Sequence, residues 1–171
     1  GIQQLGFVQT ESQNQKNGGC ISPIDVVFLD ANGATVASLS PSEKVRVRLS
    51  FSTDADIHLQ VQIVLYRGAK FVTSFGTINA GGPLPCIKSK RYELLFDIDF
   101  DFEEGQYYFD FKFVHHQKIF DAYLSTKPIM VLSQYGPLTV IAKDRSTPRF
   151  FGPFGPKFDI KFIGLKSEAV G

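Results

Sequence analysis

The chain has 171 residues, of which 43% are hydrophobic, and its formal net charge at pH 7 is +1. This length and composition predict one globular domain with a proper core and exclude an intrinsically disordered chain. The near-zero net charge supplies no field that would attract nucleic acid or an anionic membrane, so we expect no nucleic-acid partner. The 17 Phe and absence of Trp are typical of a chain that fills half-buried β-strands with aromatic rings.

Strand patterns begin near residue 21 and recur at short intervals to residue 78. Asn32-Gly33 follows the first strand, and this dipeptide tolerates the positive φ angles of a tight turn. Over Lys44–Thr53 apolar and polar residues alternate cleanly, which is typical of a half-buried strand. The first half of the chain is therefore predicted to contain strands near 21–29 and at 35–39, 44–53, 58–67 and 71–78.

The second half repeats this alternation with more aromatic residues. Strands are predicted at 91–100, from 106 to about 115, and at 119–124, 128–132, 138–142 and 158–163. Apolar residues nowhere recur at helical spacing over a full helix length. The predicted fold is therefore all-β, a sandwich of two antiparallel sheets. We expect five aromatic residues to be buried between the sheets: Phe51, Phe96, Tyr107, Phe109 and Phe111.

The ends and the cysteines bear on domain organisation and compartment. We predict a flexible polar leader over residues 1–19, one sandwich domain over 20–165 and a tail over 166–171, the whole being part of a longer protein. No apolar run reaches the length of a membrane span. Cys20 and Cys86 are too few for a disulfide framework, and whether they pair stays open. A reducing, cytosolic compartment fits this content better than a secreted one.

The motifs predict neither an enzyme nor a metal site. The adjacent His115 and His116 would point to opposite faces of a strand and could not chelate together. No nucleophile elbow or phosphate-binding loop is present. Because calcium needs oxygen ligands that converge in a loop, we interpret the acidic row along one strand and the following turn as a solvated face. That row is Asp97, Asp99, Asp101, Glu103 and Glu104. We expect no catalytic residues, no metal and no cofactor.

The outward residues of two strands form a candidate carbohydrate-binding face. In a sandwich the strands at 58–67 and 106–115 would usually lie side by side, so their outward faces would meet. Sugars are recognised by planar polar groups and by aromatic rings that cover C–H faces. An ordinary solvated face would also carry Gln, Lys and Asp, and composition alone leaves both interpretations open. The candidate residues are Gln60, Gln62, Tyr66, Tyr108, Asp110 and Lys112.

Each residue type on this face has an expected role. The Tyr rings would cover sugar C–H faces, and the Gln and Asp side chains would form hydrogen bonds with sugar hydroxyls. Lys112 would bind an acidic or phosphorylated terminal group. An alternative binding face, the rival face, is predicted on the other sheet, since the planar Arg guanidinium binds anionic sugars through two hydrogen bonds and the Lys ammonium does not. The outward residues of the rival face are Arg46, Arg48, Arg91 and Glu93.

The order of the strand sequences resembles a known family. The similar segments are IDVVFLDANG from Ile24, SEKVRVRLSF from Ser42, IVLYR from Ile63, FGT from Phe75 and EGQYYF from Glu104. In this order, they resemble the C-terminal carbohydrate-binding domain of Wzt, the ATPase subunit of O-antigen polysaccharide ABC transporters. The likeness runs from about residue 25 to residue 114, just over half of the chain.

The resemblance implies a function as well as a fold. It implies a jelly-roll-like sandwich that follows a nucleotide-binding domain of the same chain and forms a homodimer by strand exchange. It also implies a non-catalytic module, at the cytoplasmic face of the inner membrane, that recognises the non-reducing end of an O-antigen polysaccharide and couples it to export. Our candidate for the exchanged strand is 158–163, which follows a Pro/Gly-rich stretch.

An alternative interpretation places the domain outside the cell. An extracellular structural or adhesive β-sandwich that binds a protein partner would share the same strand pattern. It would favour a Cys20–Cys86 disulfide, whereas the transport interpretation requires free thiols.

Overall fold

The computed structural model describes residues 21–115, 128–141 and 158–165, and β-strands dominate them. A single-turn 3-10 helix, η1 (Thr77–Ala80), interrupts the strands. Among these residues no helix has the length and apolar character needed to cross a bilayer. The strands within the described ranges are β1 (Ile21–Leu29), β2 (Ser38–Leu39), β3 (Lys44–Thr53), β4 (Ile57–Arg67), β5 (Lys70–Gly76), β6 (Leu84–Cys86), β7 (Arg91–Asp99), β8 (Gly105–His115), β9 (Met130–Val140) and β10 (Phe158–Gly164).

The strands form two sheets that pack face to face. The four-stranded sheet has the order β1-β3-β7-β10, and the six-stranded sheet has the order β2-β9-β8-β4-β5, with β6 also paired to β4. The pairings are antiparallel except that of the short edge strand β2 with β9, which is parallel. The predicted all-β, two-sheet sandwich is therefore confirmed.

Aromatic rings from both sheets fill the space between them. Phe28 of the four-stranded sheet meets Phe109 of the six-stranded sheet edge to face, with ring centroids 4.8 Å apart. Phe51 meets Phe113 in the same manner at 6.0 Å. Such edge-to-face pairs are the preferred geometry for aromatic rings. The five aromatic residues predicted to lie in the core are all buried.

The segment near residue 134 forms one strand instead of the two predicted. β9 runs without a break from Met130 to Val140, and its ladder to β8 shifts register at two points. Gln134 has φ 60° and Gly136 has φ 146°, so the backbone bulges where a loop was expected. The prediction was wrong because a bulge lets a strand continue through turn-forming residues.

Other predicted boundaries are also revised. Leu84–Cys86, where no strand was predicted, forms β6, and residues 77–78, which were predicted to end a strand, belong to η1. The predicted strand at 119–124 lies outside the described residues, as do the leader at 1–19 and the tail at 166–171.

The core contacts of Phe109 generate a stability prediction. Phe109 is fully buried and packs on Phe28, Phe100 and Phe111. Replacing it with Ala leaves a cavity, so we expect Phe109→Ala to lower the free energy of unfolding by about 3–5 kcal/mol in urea denaturation. Phe71→Ala is the matched control, since Phe71 is 57% exposed, and its loss should be below about 1 kcal/mol. Equal losses for the two variants would contradict the described core.

Candidate functional site

The strands that were predicted to be neighbours, β4 and β8, pair directly at the centre of the six-stranded sheet. Their register places Gln62 opposite Lys112 and Tyr66 opposite Tyr108. Directly opposite residues of an antiparallel pair share one face of the sheet. We call this outer surface the β4–β8 face, and it contains all six predicted residues: Gln60, Gln62, Tyr66, Tyr108, Asp110 and Lys112.

One end of the β4–β8 face is concave. Tyr66, Tyr108 and Asp110 line a hollow of about 530 Å³, a size within the range of small-molecule sites. The hollow is completed by residues that the sequence did not predict, Gly68 and Ala69 of the β4–β5 turn and Gln134 of β9. The other three predicted residues lie on the same face but outside this lining.

The β4–β5 turn forms one wall and is bonded to the beginning of β8. Gly68 has φ 58°, a left-handed conformation that costs glycine little. Its N–H donates to the carbonyl of Gln106 at 3.0 Å. Next to it, the Arg67 guanidinium donates to the Glu103 carboxylate at 2.7 Å and to the Glu104 carbonyl. These bonds hold the turn against the loop that precedes β8.

The bulge in β9 forms another wall and positions two residues of the hollow. The Gln134 N–H donates to Asp110 Oδ1 at 2.9 Å, which fixes that carboxylate. A Cβ on Gly136 would lie 2.6 Å from the Tyr107 carbonyl oxygen and 3.2 Å from Tyr108 Cδ1, so the backbone passes close to the Tyr108 ring. Gln134 was missed because the residues around it were interpreted as a break between strands.

The β5 side of the face provides further support. Gln62 Nε2 donates to Ser74 Oγ, which bonds this amide to the neighbouring strand. The Tyr66 ring meets Phe71 edge to face with centroids 6.4 Å apart, and Phe71 is an exposed aromatic residue. Val64 is on this face yet only 5% exposed. The surface beside the hollow therefore combines aromatic, aliphatic and amide groups.

The rival face on the four-stranded sheet is partly occupied by internal ion pairs. Arg46 forms a two-pronged bond with Asp97, with Nε 2.6 Å from Oδ1 and Nη2 2.9 Å from Oδ2. The hydrogen bond from Arg46 holds the pKa of Asp97 below its ordinary value, against the opposing effect of burial. Lys44 lies 3.6 Å from Asp99. A guanidinium fork already bound to a carboxylate is not presented to an anionic sugar.

These ion pairs revise the interpretation of Asp97 and Asp99 as part of a simply solvated face. β7 pairs with the basic strand β3, and the register sets Arg46 opposite Asp97 and Lys44 opposite Asp99. These two carboxylates therefore match basic residues across the ladder. Sequence spacing within one strand could not show this, because the partner strand lies far away along the chain.

No metal site or reactive thiol is found among the residues the structure describes. No group of three or more His, Cys, Asp or Glu side chains there could hold a metal ion. Cys86 is a free, buried thiol, and burial raises its pKa to about 12. Cys20, its possible partner, lies outside the described ranges. This part of the chain thus adds no support for the disulfide that the extracellular alternative favours.

Comparison with known proteins identifies a similar fold. Neither a protein-family model nor a curated protein matches this chain. Among solved structures, it is similar to the crystal structure of the C-terminal domain of Wzt, with a TM-score of 0.61 over 90% of this chain and 85% of that chain. The two sequences are 15% identical. The resemblance predicted from the strand sequences is therefore confirmed as a likeness of fold to the Wzt C-terminal domain.

Proposed function

We propose that this domain is a non-catalytic module that binds the non-reducing end of an O-antigen polysaccharide and couples it to export by an ABC transporter. The observation that carries the proposal is the hollow, in which a carboxylate and an amide stand beside two Tyr rings, on a fold like that of the Wzt C-terminal domain. Its partners would be the glycan and a nucleotide-binding domain, at the cytoplasmic face of the inner membrane.

The groups in the hollow suit a terminal sugar. Tyr66 and Tyr108 would cover C–H faces of the ring, and their hydroxyls can donate or accept hydrogen bonds. The Asp110 carboxylate accepts hydrogen bonds from sugar hydroxyls, while the Gln134 amide both donates and accepts. The end of the glycan would lie against the β4–β5 turn at Gly68 and Ala69, which line the hollow.

The remainder of the glycan would run along the β4–β8 face. Same-face residues on one strand are spaced by two residues, so the three steps from Tyr66 to Gln60 cover about 20 Å. That length accommodates several sugars, which Gln62, Gln60 and Lys112 would contact. Because an open sheet face leaves water competing for each hydrogen bond, we expect micromolar or weaker affinity, about −8 kcal/mol or less favourable.

Paired variants distinguish the β4–β8 face from the rival face. Gln62→Ala with Tyr108→Ala should abolish binding to an array of purified O-polysaccharides, since both residues lie on the proposed path. The melting temperature should change little, because Gln62 is exposed and Tyr108 only half-buried. The control, Arg48→Ala with Arg91→Ala, should leave binding intact. If binding survives the first pair and is lost with the second, the glycan lies on the four-stranded sheet.

We further propose that the domain dimerises by exchanging β10. This strand forms an edge of the four-stranded sheet, where it pairs with β7 from Phe158 opposite Ile98 to Gly164 opposite Tyr92. The Phe162 ring stacks on Tyr92 with centroids 5.0 Å apart. The same position beside β7 can accept β10 of a second copy, because exchange reproduces identical contacts.

A cross-strand disulfide tests the exchange. Glu93 and Ile163 are directly opposite in the β7–β10 ladder, and neither side chain is buried. In a Cys20→Ser, Cys86→Ala background, oxidised Glu93→Cys with Ile163→Cys should give a covalent dimer on a non-reducing gel, since opposite residues meet the geometry a disulfide needs. Each single-cysteine variant is a control. Internal cross-linking that leaves a monomer, together with a monomeric mass by light scattering, would contradict strand exchange.

A further inference from the structure

We infer that the hollow selects a terminal sugar that is not anionic, and that Asp110 is the residue that sets this preference. The inference rests on the proposed function and concerns the chemistry of the chain end. It revises the role expected of Lys112, which was to meet an acidic or phosphorylated terminal group.

The charge of the lining is the first observation. Of the described residues that line the hollow, Asp110 is the one with an ionisable carboxylate, and none has a cationic side chain. Lys112 follows Asp110 by two positions on β8, where it lies opposite Gln62. Its Cα is therefore displaced by about 7 Å along the strand, away from the β4–β5 turn.

The two basic residues that flank the turn lie on the other side of the sheet. Arg67 is opposite Tyr107, whose ring is buried in the core, and Lys70 is opposite Arg67. Residues opposite in an antiparallel ladder share a face, so both basic residues alternate away from Tyr66. The Arg67 guanidinium is in addition bonded to Glu103 and to the Glu104 carbonyl. Neither residue is placed to neutralise an anion in the hollow.

The fixed orientation of Asp110 is the second observation. The Gln134 N–H holds Oδ1 at 2.9 Å, so the carboxylate is oriented before any ligand arrives. Its remaining acceptor sites can accept hydrogen bonds from sugar hydroxyls or from an amino group. A phosphate or carboxylate brings acceptors instead of donors and a charge of the same sign. A neutral or amino-bearing terminal sugar therefore fits the hollow, whereas an anionic one is repelled.

Matched pairs of oligosaccharides test this preference. The probes are four tetrasaccharides, each built from one kind of sugar: mannose, glucose, galactose or N-acetylglucosamine. Each is prepared as a pair, one member unmodified and the other with a phosphate monoester on the 6-hydroxyl of the non-reducing sugar. Binding is measured by titration calorimetry with the wild-type domain. Where the unmodified member of a pair binds, we expect the phosphorylated member to bind about tenfold more weakly, because the added charge meets Asp110.

Two variants assign the effect to a residue. Asp110→Asn retains an oxygen that can accept the Gln134 N–H but removes the charge, so the discrimination should fall below about threefold. Lys112→Gln is the control on the same strand and should leave the discrimination unchanged. Discrimination that persists in Asp110→Asn would overturn the role of Asp110. Wild-type preference for the phosphorylated probes, lost in Lys112→Gln, would overturn the inference while supporting glycan binding. Failure of every probe, and of the O-polysaccharide array, would contradict the proposed function itself.

Discussion

The pairing of β4 with β8 fixes both the buried and the outer residues at the centre of the six-stranded sheet. Both strands run for eleven residues at the centre of the six-stranded sheet, and both alternate strictly along most of that length. The register that places Ile63 opposite Phe111 in the core also places Gln62 opposite Lys112 on the outer face. A slip by one residue would move the buried rings to solvent and the polar residues to the core. Core packing therefore sets the arrangement of the proposed binding face.

The bulge in β9 links that core to the hollow. Tyr135 is buried and packs edge to face on Phe111 at 5.6 Å, while its neighbour Gln134 is exposed and bonded to Asp110. Burial raises the pKa of Tyr135 above its ordinary value. Non-glycine residues with positive φ are uncommon and cluster at functional sites. The left-handed backbone of Gln134 is thus anchored by the buried neighbour Tyr135, and its backbone N–H is directed to Asp110 on the outer face.

Much of the fold could be predicted because alternation is a local property of the sequence. The predicted ends of four strands, β3, β4, β7 and β8, agree with the structure to within a residue or two. The aromatic rings that these strands bury follow directly from period-two spacing. The six face residues were correctly placed together, since a sandwich usually pairs the strands that hold them. Alternation within each of these four strands therefore predicted where the strand lies and which rings it buries.

The remainder depended on contacts between distant parts of the chain. The ion pair of Arg46 with Asp97 joins residues 51 positions apart and follows from which strands are neighbours, not from spacing within either one. Gln134 entered the hollow through a bulge that sequence alone could not distinguish from a loop. The turn at Gly68 and Ala69 was predicted as a connection between strands, but its place at the end of the β4–β8 face required the three-dimensional arrangement.

We propose that a glycan end binds in the hollow at the end of the β4–β8 face. An amide-resolved NMR titration of the labelled domain with O-polysaccharide tests this site, because every non-proline backbone N–H reports on its own surroundings. We expect chemical-shift changes concentrated at the amides of Gly68, Ala69, Asp110 and Gln134, with the amides of Arg46 and Arg48 unchanged. Shifts confined to the four-stranded sheet would contradict it.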